Sequence, residues 1–288
     1  MDRRFSLAIA LLTTLVFTSL LIALTTDLVP LWKALTELGS EALYVLISIL
    51  IYVAIDHRLG FRCMQSVLLT ASLTLLLKEM LRLPRPPQSL WRVEAYGYGF
   101  PSGHAATSTA FWTTLALYVL YIVPLAIAII LAVSISRIAL GVHYLHDVVG
   151  GIALGLSVSI ALYLWRYRYK TICIACTVIS TVSSIVAAYR ASDIGTKIVA
   201  LMILGFALSM SMYIKLAPRV DVAQTKLYRV PITKRIAVAI TIALALAATV
   251  KAVEVMLPIQ ILTLVSLSIG LIVLCLPIAL ERILVPRL

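Results

Sequence analysis

Charge is scarce in this chain: 12% of its 288 residues are Asp, Glu, Lys or Arg, and only 12 residues are acidic. No carboxylates cluster in a way that would supply Mg²⁺ with its oxygen ligands, so neither a metal nor another cofactor is expected. Cysteine is also sparse, at positions 63, 173, 176 and 275. Cys173-x-x-Cys176 has the spacing of a redox pair or half a zinc site. It lies in an apolar run with no second pair, which favours small packing residues. Internal repeats, low-complexity runs and any polar stretch long enough for a soluble domain are missing as well.

Apolar sequence fills the chain instead, at 62% of all residues. A bilayer requires runs of roughly 20 apolar residues. Ten spans are expected, over 7–26, 41–56, 63–82, 104–121, 123–140, 148–165, 171–189, 197–216, 235–253 and 258–280. Ala, Leu, Ile and Val dominate without an alternating polar face, so the expected fold class is all-α, a polytopic transmembrane helical bundle rather than a β-barrel. Met1-Asp2-Arg3-Arg4 resembles the start of a signal peptide. The apolar run behind it is too long for a cleaved segment, and a retained helix is expected.

The net charge of +12 would suit nucleic acid, but its distribution points elsewhere. With the N-terminus placed in the cytoplasm, inner segments carry 15 basic residues and outer segments nine, three of which belong to polar clusters. This bias follows the positive-inside rule, so the basic charge sets topology and no nucleic-acid partner is expected. Trp165-Arg166-Tyr167-Arg168-Tyr169-Lys170 alternates rings and cations, as suits a membrane interface. The segment 215–235 reads as a basic connection, and 83–103, rich in Pro, Gly and aromatics, as the longest irregular outer loop.

Three polar clusters interrupt the apolar chain, all on the non-cytoplasmic side in this topology. Ionisable residues at membrane depth are costly, so a functional reading is the default. Lys78 and Arg85 lie two helical turns apart and share a face, before Pro84, Pro86 and Pro87 end the helix. Arg offers a planar fork for phosphate oxygens and Lys a mobile point charge. Pro101-Ser102-Gly103-His104 precedes an apolar helix. Ser102 is a plausible N-cap, Gly103 lets a ligand approach the backbone, and a helix N-terminus is an anion site. His104 in that first turn would reach a leaving oxygen. In the third cluster, Ser136-Arg137 precedes His143, and Asp147 stands four residues further on. A carboxylate on one imidazole nitrogen leaves the other free as nucleophile or base. His146 competes for that role with poorer spacing. His57, in a basic inner loop, and the pair Glu79 and Arg82, expected as interfacial charges, carry no chemistry in this reading.

Lys-x6-Arg-Pro over 78–86, Pro-Ser-Gly-His over 101–104 and Ser-Arg-x5-His-x3-Asp over 136–147 resemble the three motifs of the type 2 phosphatidic acid phosphatase (PAP2) superfamily, membrane-bound lipid phosphatase branch. The stretches around Tyr98–Ala105, Gly141–Tyr144 and Leu38–Glu41 are similar to its membrane members. The resemblance covers roughly residues 1–165. It implies a six-helix catalytic core over 1–170 and about four further transmembrane helices, of no assigned role, over 171–288. It also implies a metal-independent phosphohydrolase with no cofactor. His143 would form a phosphohistidine, Asp147 would orient it, and His104 would protonate the leaving oxygen and then activate water. Lys78, Arg85, Ser102, Gly103 and Arg137 would bind the phosphoryl oxygens. The expected substrate is a lipid phosphate, either phosphatidic acid-like or a polyprenyl mono- or diphosphate, met among membrane lipids. A phosphotransferase using the same intermediate and a non-enzymatic lipid or anion transporter are the alternatives. A vanadate haloperoxidase would share the site but is soluble.

Overall fold

The computed structural model describes residues 3–256 and 261–285; the side chains of 3–5, 243, 247 and 249–256 lie outside the described set. Arg3, Arg4, Lys251 and Arg287 of the charge pattern, and the start of the expected span at 258, therefore fall outside it. The described residues form helices and no strand: α1 (Arg3–Thr26), α2 (Val29–Glu37), α3 (Glu41–Leu50, extended by a π-helical turn over Ile51–Ile55), α4 (His57–Leu81), α5 (Gly103–Tyr118), α6 (Val123–Ala139), α7 (Leu145–Leu164), α8 (Tyr169–Arg190), α9 (Ile194–Met210), α10 (Tyr213–Leu227), α11 (Ile232–Met256) and α12 (Leu262–Leu284).

The all-helical, polytopic character agrees with the sequence, but the number of spans differs. Among the described residues six helices are long and apolar enough to cross a membrane singly, or eight if each of two bent pairs counts as one span. The expected span 41–56 is the second limb of a pair that starts at Val29 and bends by 43°. The expected span 104–121 stops at Tyr118 after 16 helical residues. Residues 215–235, read as a connection, are largely helical: α10 meets α9 at a bend of 64°. Its buried Tyr213, Ala217, Val220, Ala223, Gln224 and Leu227 recur at helical spacing, a one-sided apolar stripe that a search for continuous apolar runs passes over.

Local chemistry sets the ends that matter. The Asp56 carboxylate accepts from the Arg58 and Leu59 amides at 2.7 and 2.9 Å and starts α4. At the other end, Arg82 takes left-handed φ of 52° and the prolines that follow cannot continue the helix. α5 packs most extensively on α7, and α4 on α5 and α8; α9 packs on α12 and α8, and α11 on α3. The largest apolar cluster mixes Ile49, Tyr52 and Phe61 with Tyr213, Leu274 and Leu280, so the helices after Lys170 pack directly on α3 and α4.

Basic residues sort to two ends of this bundle. At one end Arg82 donates to the Arg190 carbonyl and Arg92 pairs with Asp27. At the other, Arg58 pairs with Asp221, Lys226 with Glu281, and Arg235 donates to the Ala54 carbonyl. These are the outer and inner groups of the charge pattern.

Contact between α5 and α7 depends on glycine. A Cβ at Gly155 would stand 2.7 Å from Thr109 Cβ and 2.9 Å from the Ala110 nitrogen, so the two backbones touch where a side chain should be. Gly155→Leu is expected to force α5 and α7 apart at a cost of about 1–3 kcal/mol or more. A thermal melt of the detergent-solubilised variant checks this, and an unchanged midpoint would contradict the packing.

Candidate active site

Convergence of the three clusters begins with backbone. The Ser102 amide, at the head of α5, donates to the Asp147 carbonyl in the first turn of α7 at 2.9 Å. The Gly99 amide donates to the Leu83 carbonyl at 2.8 Å, folding the 83–103 loop back over the end of α4. Lys78 reaches up from α4 to the carbonyls of Tyr98 and Gly99, the latter at 3.1 Å. Gly141, with φ of 73°, turns the chain between α6 and α7, and a Cβ there would overlap the Leu90 carbonyl. All three clusters therefore meet at one end of α4, α5, α6 and α7.

Arg85 is the hub. Its Nε and Nη2 donate to the carbonyls of Gly97 and Tyr96 at 3.0 and 2.8 Å. Its Nη1 lies 2.9 Å from both the Val142 carbonyl and His143 Nε2. A guanidinium can only donate, so Nε2 is the acceptor and the His143 proton sits on Nδ1. That nitrogen faces Asp147 Oδ2 at 3.3 Å, and the same oxygen accepts from the Tyr144 amide at 2.9 Å. Asp147 thus caps α7 and fixes the imidazole tautomer with one carboxylate oxygen. The expected pairing is present, and it leaves the Nε2 lone pair directed at Arg85.

His146 also approaches the carboxylate, 3.2 Å from Oδ1, but not in hydrogen-bonding alignment, so Oδ1 has no hydrogen-bond partner. Its side chain is 60% exposed and stacks on Tyr144 and Phe100, whereas the His143 side chain is 2% exposed. Burial and orientation therefore separate the two histidines where spacing alone did so weakly.

Arg137, on α6, is buried; its Nη1 donates to Thr36 Oγ1 on α2 at 2.9 Å and its Nε has no partner. The charges of Arg137, Arg85 and Lys78 all act on His104, as does His143. His104 itself is half-buried and makes no hydrogen bond among the described residues. Ser102 stands at the N-cap position of α5 but makes no capping bond, contrary to expectation; its hydroxyl is buried without a partner. Gly103 is not there to relieve crowding, because a Cβ would meet only Glu41 Oε1 and Thr74 Cγ2, both at 3.8 Å. Together with the unpaired N–H groups of the first turn of α5, the site holds an orphan hydroxyl, an orphan guanidinium nitrogen and open space beside a glycine. Those are the properties of a cradle for a multi-oxygen anion.

Burial, together with the charges of Arg85, Lys78 and Arg137, pushes His143 below the ordinary histidine range, against the opposing bond to Asp147. Burial likewise lowers Arg85, with Asp147 opposing.

Thr36 and Glu41 were not assigned roles by residue chemistry alone. Thr36 is an isolated threonine in a short helix, and only the packing of α2 on α6 brings it to Arg137. Glu79, expected at the interface, is instead buried, with Arg190 donating to its carbonyl at 3.1 Å. His57 lies at the far end of α4, bonded to Tyr213 and Asp221 at 2.8 and 2.7 Å, and takes no part here. Three of the cysteines are buried and none forms a disulfide. Among the described residues, no three His, Cys, Asp or Glu side chains come together as metal ligands.

Residues 60–171 match the family model of the PAP2 superfamily. The chain is also 34% identical over 90 residues to decaprenylphosphoryl-5-phosphoribose phosphatase of Mycobacterium tuberculosis, in strains CDC 1551 / Oshkosh and ATCC 25618 / H37Rv. That alignment takes in 30% of this chain and 50% of the relative, so the chain spans about half the length of the curated relatives it matches. No solved structure matches.

Because its pKa is lowered, His143 stays neutral as pH falls through the ordinary range near 6.5. A histidine-selective NMR titration is expected to find it unprotonated at pH 6. Arg85→Ala should move the midpoint upward, by removing a like charge, and a protonated His143 at pH 6 would contradict the arrangement.

Proposed function

From the membership of residues 60–171 in the PAP2 superfamily, we propose that this protein is an integral-membrane lipid phosphatase that works through a phosphohistidine and without a metal. The observation that carries the reading is the His143 imidazole, held between Asp147 and Arg85 with its Nε2 lone pair turned toward the Arg85 guanidinium.

Phosphoryl transfer needs in-line placement and stabilisation of charge on three equatorial oxygens. An incoming phosphate takes Arg85 Nη1 from His143, which frees Nε2 as the guanidinium gains a charged acceptor. Lys78, Arg137, Ser102 Oγ and the Gly103 N–H complete the cradle. Nε2 attacks phosphorus, the P–O bond to the lipid breaks, and His104 supplies the proton to the departing oxygen. His104 then takes a proton from water, whose oxygen attacks phosphorus; the N–P bond breaks and inorganic phosphate leaves. Asp147 holds the imidazolium through both steps. The three cations balance the charge that a metal ion otherwise would.

An apolar groove supports a lipid substrate. A cavity of about 300 Å³ runs between α3, α4, α9 and α12, lined by Val67, Ala71, Ile203 and Phe206 among others. Glu41 lines its polar edge and also lies next to Gly103, so the groove meets the phosphate cradle. A hydrocarbon chain fits there while its phosphate sits at the cradle. The mycobacterial relative is by name a phosphatase of a decaprenylphosphoryl sugar, and a polyprenyl phosphate is the substrate class we favour. With the charge pattern read as positive-inside, the active site opens on the non-cytoplasmic face.

Turnover of the purified protein is expected to persist in excess EDTA with a polyprenyl phosphate or phosphatidic acid. His104→Ala should lower it by about 10²- to 10⁴-fold, and Arg137→Ala by about 10²- to 10³-fold. Loss of activity on chelation, restored by Mg²⁺, would overturn the metal-free reading. Ala71→Phe, which narrows the groove, should raise KM for long-chain substrates and leave water-soluble phosphate esters unaffected; an equal effect on both would remove the groove from the account.

A further inference from the structure

A second cavity, larger than the groove at about 450 Å³, lies at the opposite end of the same helices. α4 contributes Lys78 to the catalytic end and Arg62 to this one. The two are 16 residues apart on one continuous helix, about 24 Å at 1.5 Å per residue. α5 begins with Gly103 at one end and finishes with Tyr118 at the other, and Arg166 follows the end of α7 just as Asp147 marks its start. The cavity therefore belongs to neither the phosphate cradle nor its groove.

Its chemistry is that of an anion site. Arg58, the third cation of the lining, is neutralised by Asp221. Arg62 and Arg166 have no carboxylate partner among the described residues. Arg62 lies face-on over Tyr118, 4.5 Å from the ring centroid, and makes no hydrogen bond among the described residues, so its N–H edge is free. Arg166 lies between Tyr163 and Tyr167, at 4.1 and 4.5 Å, and its Nη1 and Nη2 each donate one bond, to the Tyr163 carbonyl at 2.9 Å and the Tyr167 hydroxyl at 3.1 Å. Tyr118 and Tyr163 meet edge to face with ring centroids 5.3 Å apart, so the two guanidinium groups lie on one pair of adjoining rings. Stacking on rings holds a guanidinium plane; it leaves the whole Arg62 fork, and the second N–H of each Arg166 Nη, for recognition of phosphate or carboxylate. Thr114 provides the independent mark of a ligand: it lines the cavity, is 3% exposed, and its hydroxyl has no hydrogen-bond partner. The rest of the lining is mostly apolar, including Phe61, Leu162 and Ile172, and exposed Leu164, Trp165 and Tyr167 flank it at interfacial depth.

We propose that Arg62, Arg166 and Thr114 form a second phosphoryl-binding site, distinct from the active site, that takes the headgroup of an anionic phospholipid at the opposite membrane face. A phosphate monoester suits it best, since the Arg62 fork, the remaining Arg166 N–H groups and a hydroxyl can meet its three terminal oxygens. The C-terminal helices are part of this site, because Tyr213 and Asp221 of α10 close its far wall.

Native mass spectrometry of the full chain with a non-hydrolysable phosphonate analogue of phosphatidic acid tests the site. Wild type is expected to retain two equivalents. Arg62→Gln/Arg166→Gln should lose one, with about tenfold or greater weakening, while Lys78→Ala should lose the other. A single equivalent lost only in the arginine variant would support this site and count against the catalytic reading; a single one lost only with Lys78 would do the reverse. Displacement by millimolar inorganic phosphate would assign recognition to phosphate itself, and resistance to it would assign recognition to the lipid-borne group. Retention of both equivalents in the arginine variant, or equal retention of diacylglycerol at the same site, would overturn the proposal. On the unmodified protein, a photoreactive version of the analogue should label residues 114–118 and 162–172; labelling confined to the groove around Ala71 would also overturn it.

Discussion

Three cations, Lys78, Arg85 and Arg137, are held together at one end of an apolar bundle and interact with one another, and Lys78 and Arg85 interact also with the buried carboxylate of Asp147. Like charges at such a site repel, and removing them from water is costly. The fold meets that cost with backbone carbonyls: Tyr98 and Gly99 hold Lys78, and Gly97, Tyr96 and Val142 hold Arg85. What carbonyls cannot do is neutralise. The remaining positive field is complementary to an anion with several oxygens, and the irregular loop 83–103, the break at Arg82 and the turn at Gly141 all serve to bring its sources together.

Asp147 links this field to chemistry. The Asp147 carboxylate caps α7 through the Tyr144 amide and orients His143, while the backbone carbonyl of the same residue accepts from the Ser102 amide at the head of α5. Substituting the side chain would therefore loosen helix and nucleophile together. Arg85 has a corresponding double position, since the group that would bind the phosphate also covers the nitrogen that would attack it. Substrate binding and exposure of the nucleophile are then one exchange of hydrogen bonds.

Much of the site was legible because ionisable residues are rare in an apolar chain, and their spacing around helix breakers leaves few arrangements. Lys78, Arg85, His104, Arg137, His143 and Asp147 each come to the same place. Less legible was what depends on packing between helices. Thr36 reaches Arg137 only because α2 lies on α6, and the Ser102 hydroxyl is free although its position is that of a cap. The break at Met210 leaves no strong mark inside the expected span 197–216, and the short helix Val29–Glu37 before the expected span 41–56 was not anticipated, so neither bent pair was foreseen. α10 was missed for a related reason: its mean composition is polar, and only the periodicity of its buried face reveals a helix.

The covalent intermediate is the claim on which the rest turns. A leaving group that needs no protonation, such as nitrophenolate, lets the first step proceed without His104 while the second stalls. The His104→Ala protein incubated with radiolabelled nitrophenyl phosphate, then denatured in alkali and digested, is therefore expected to carry an acid-labile, base-stable label on the peptide containing His143. The label should vanish in His104→Ala/His143→Ala. Turnover of the same substrate by His143→Ala at the wild-type rate, with no labelled peptide in either protein, would contradict the account.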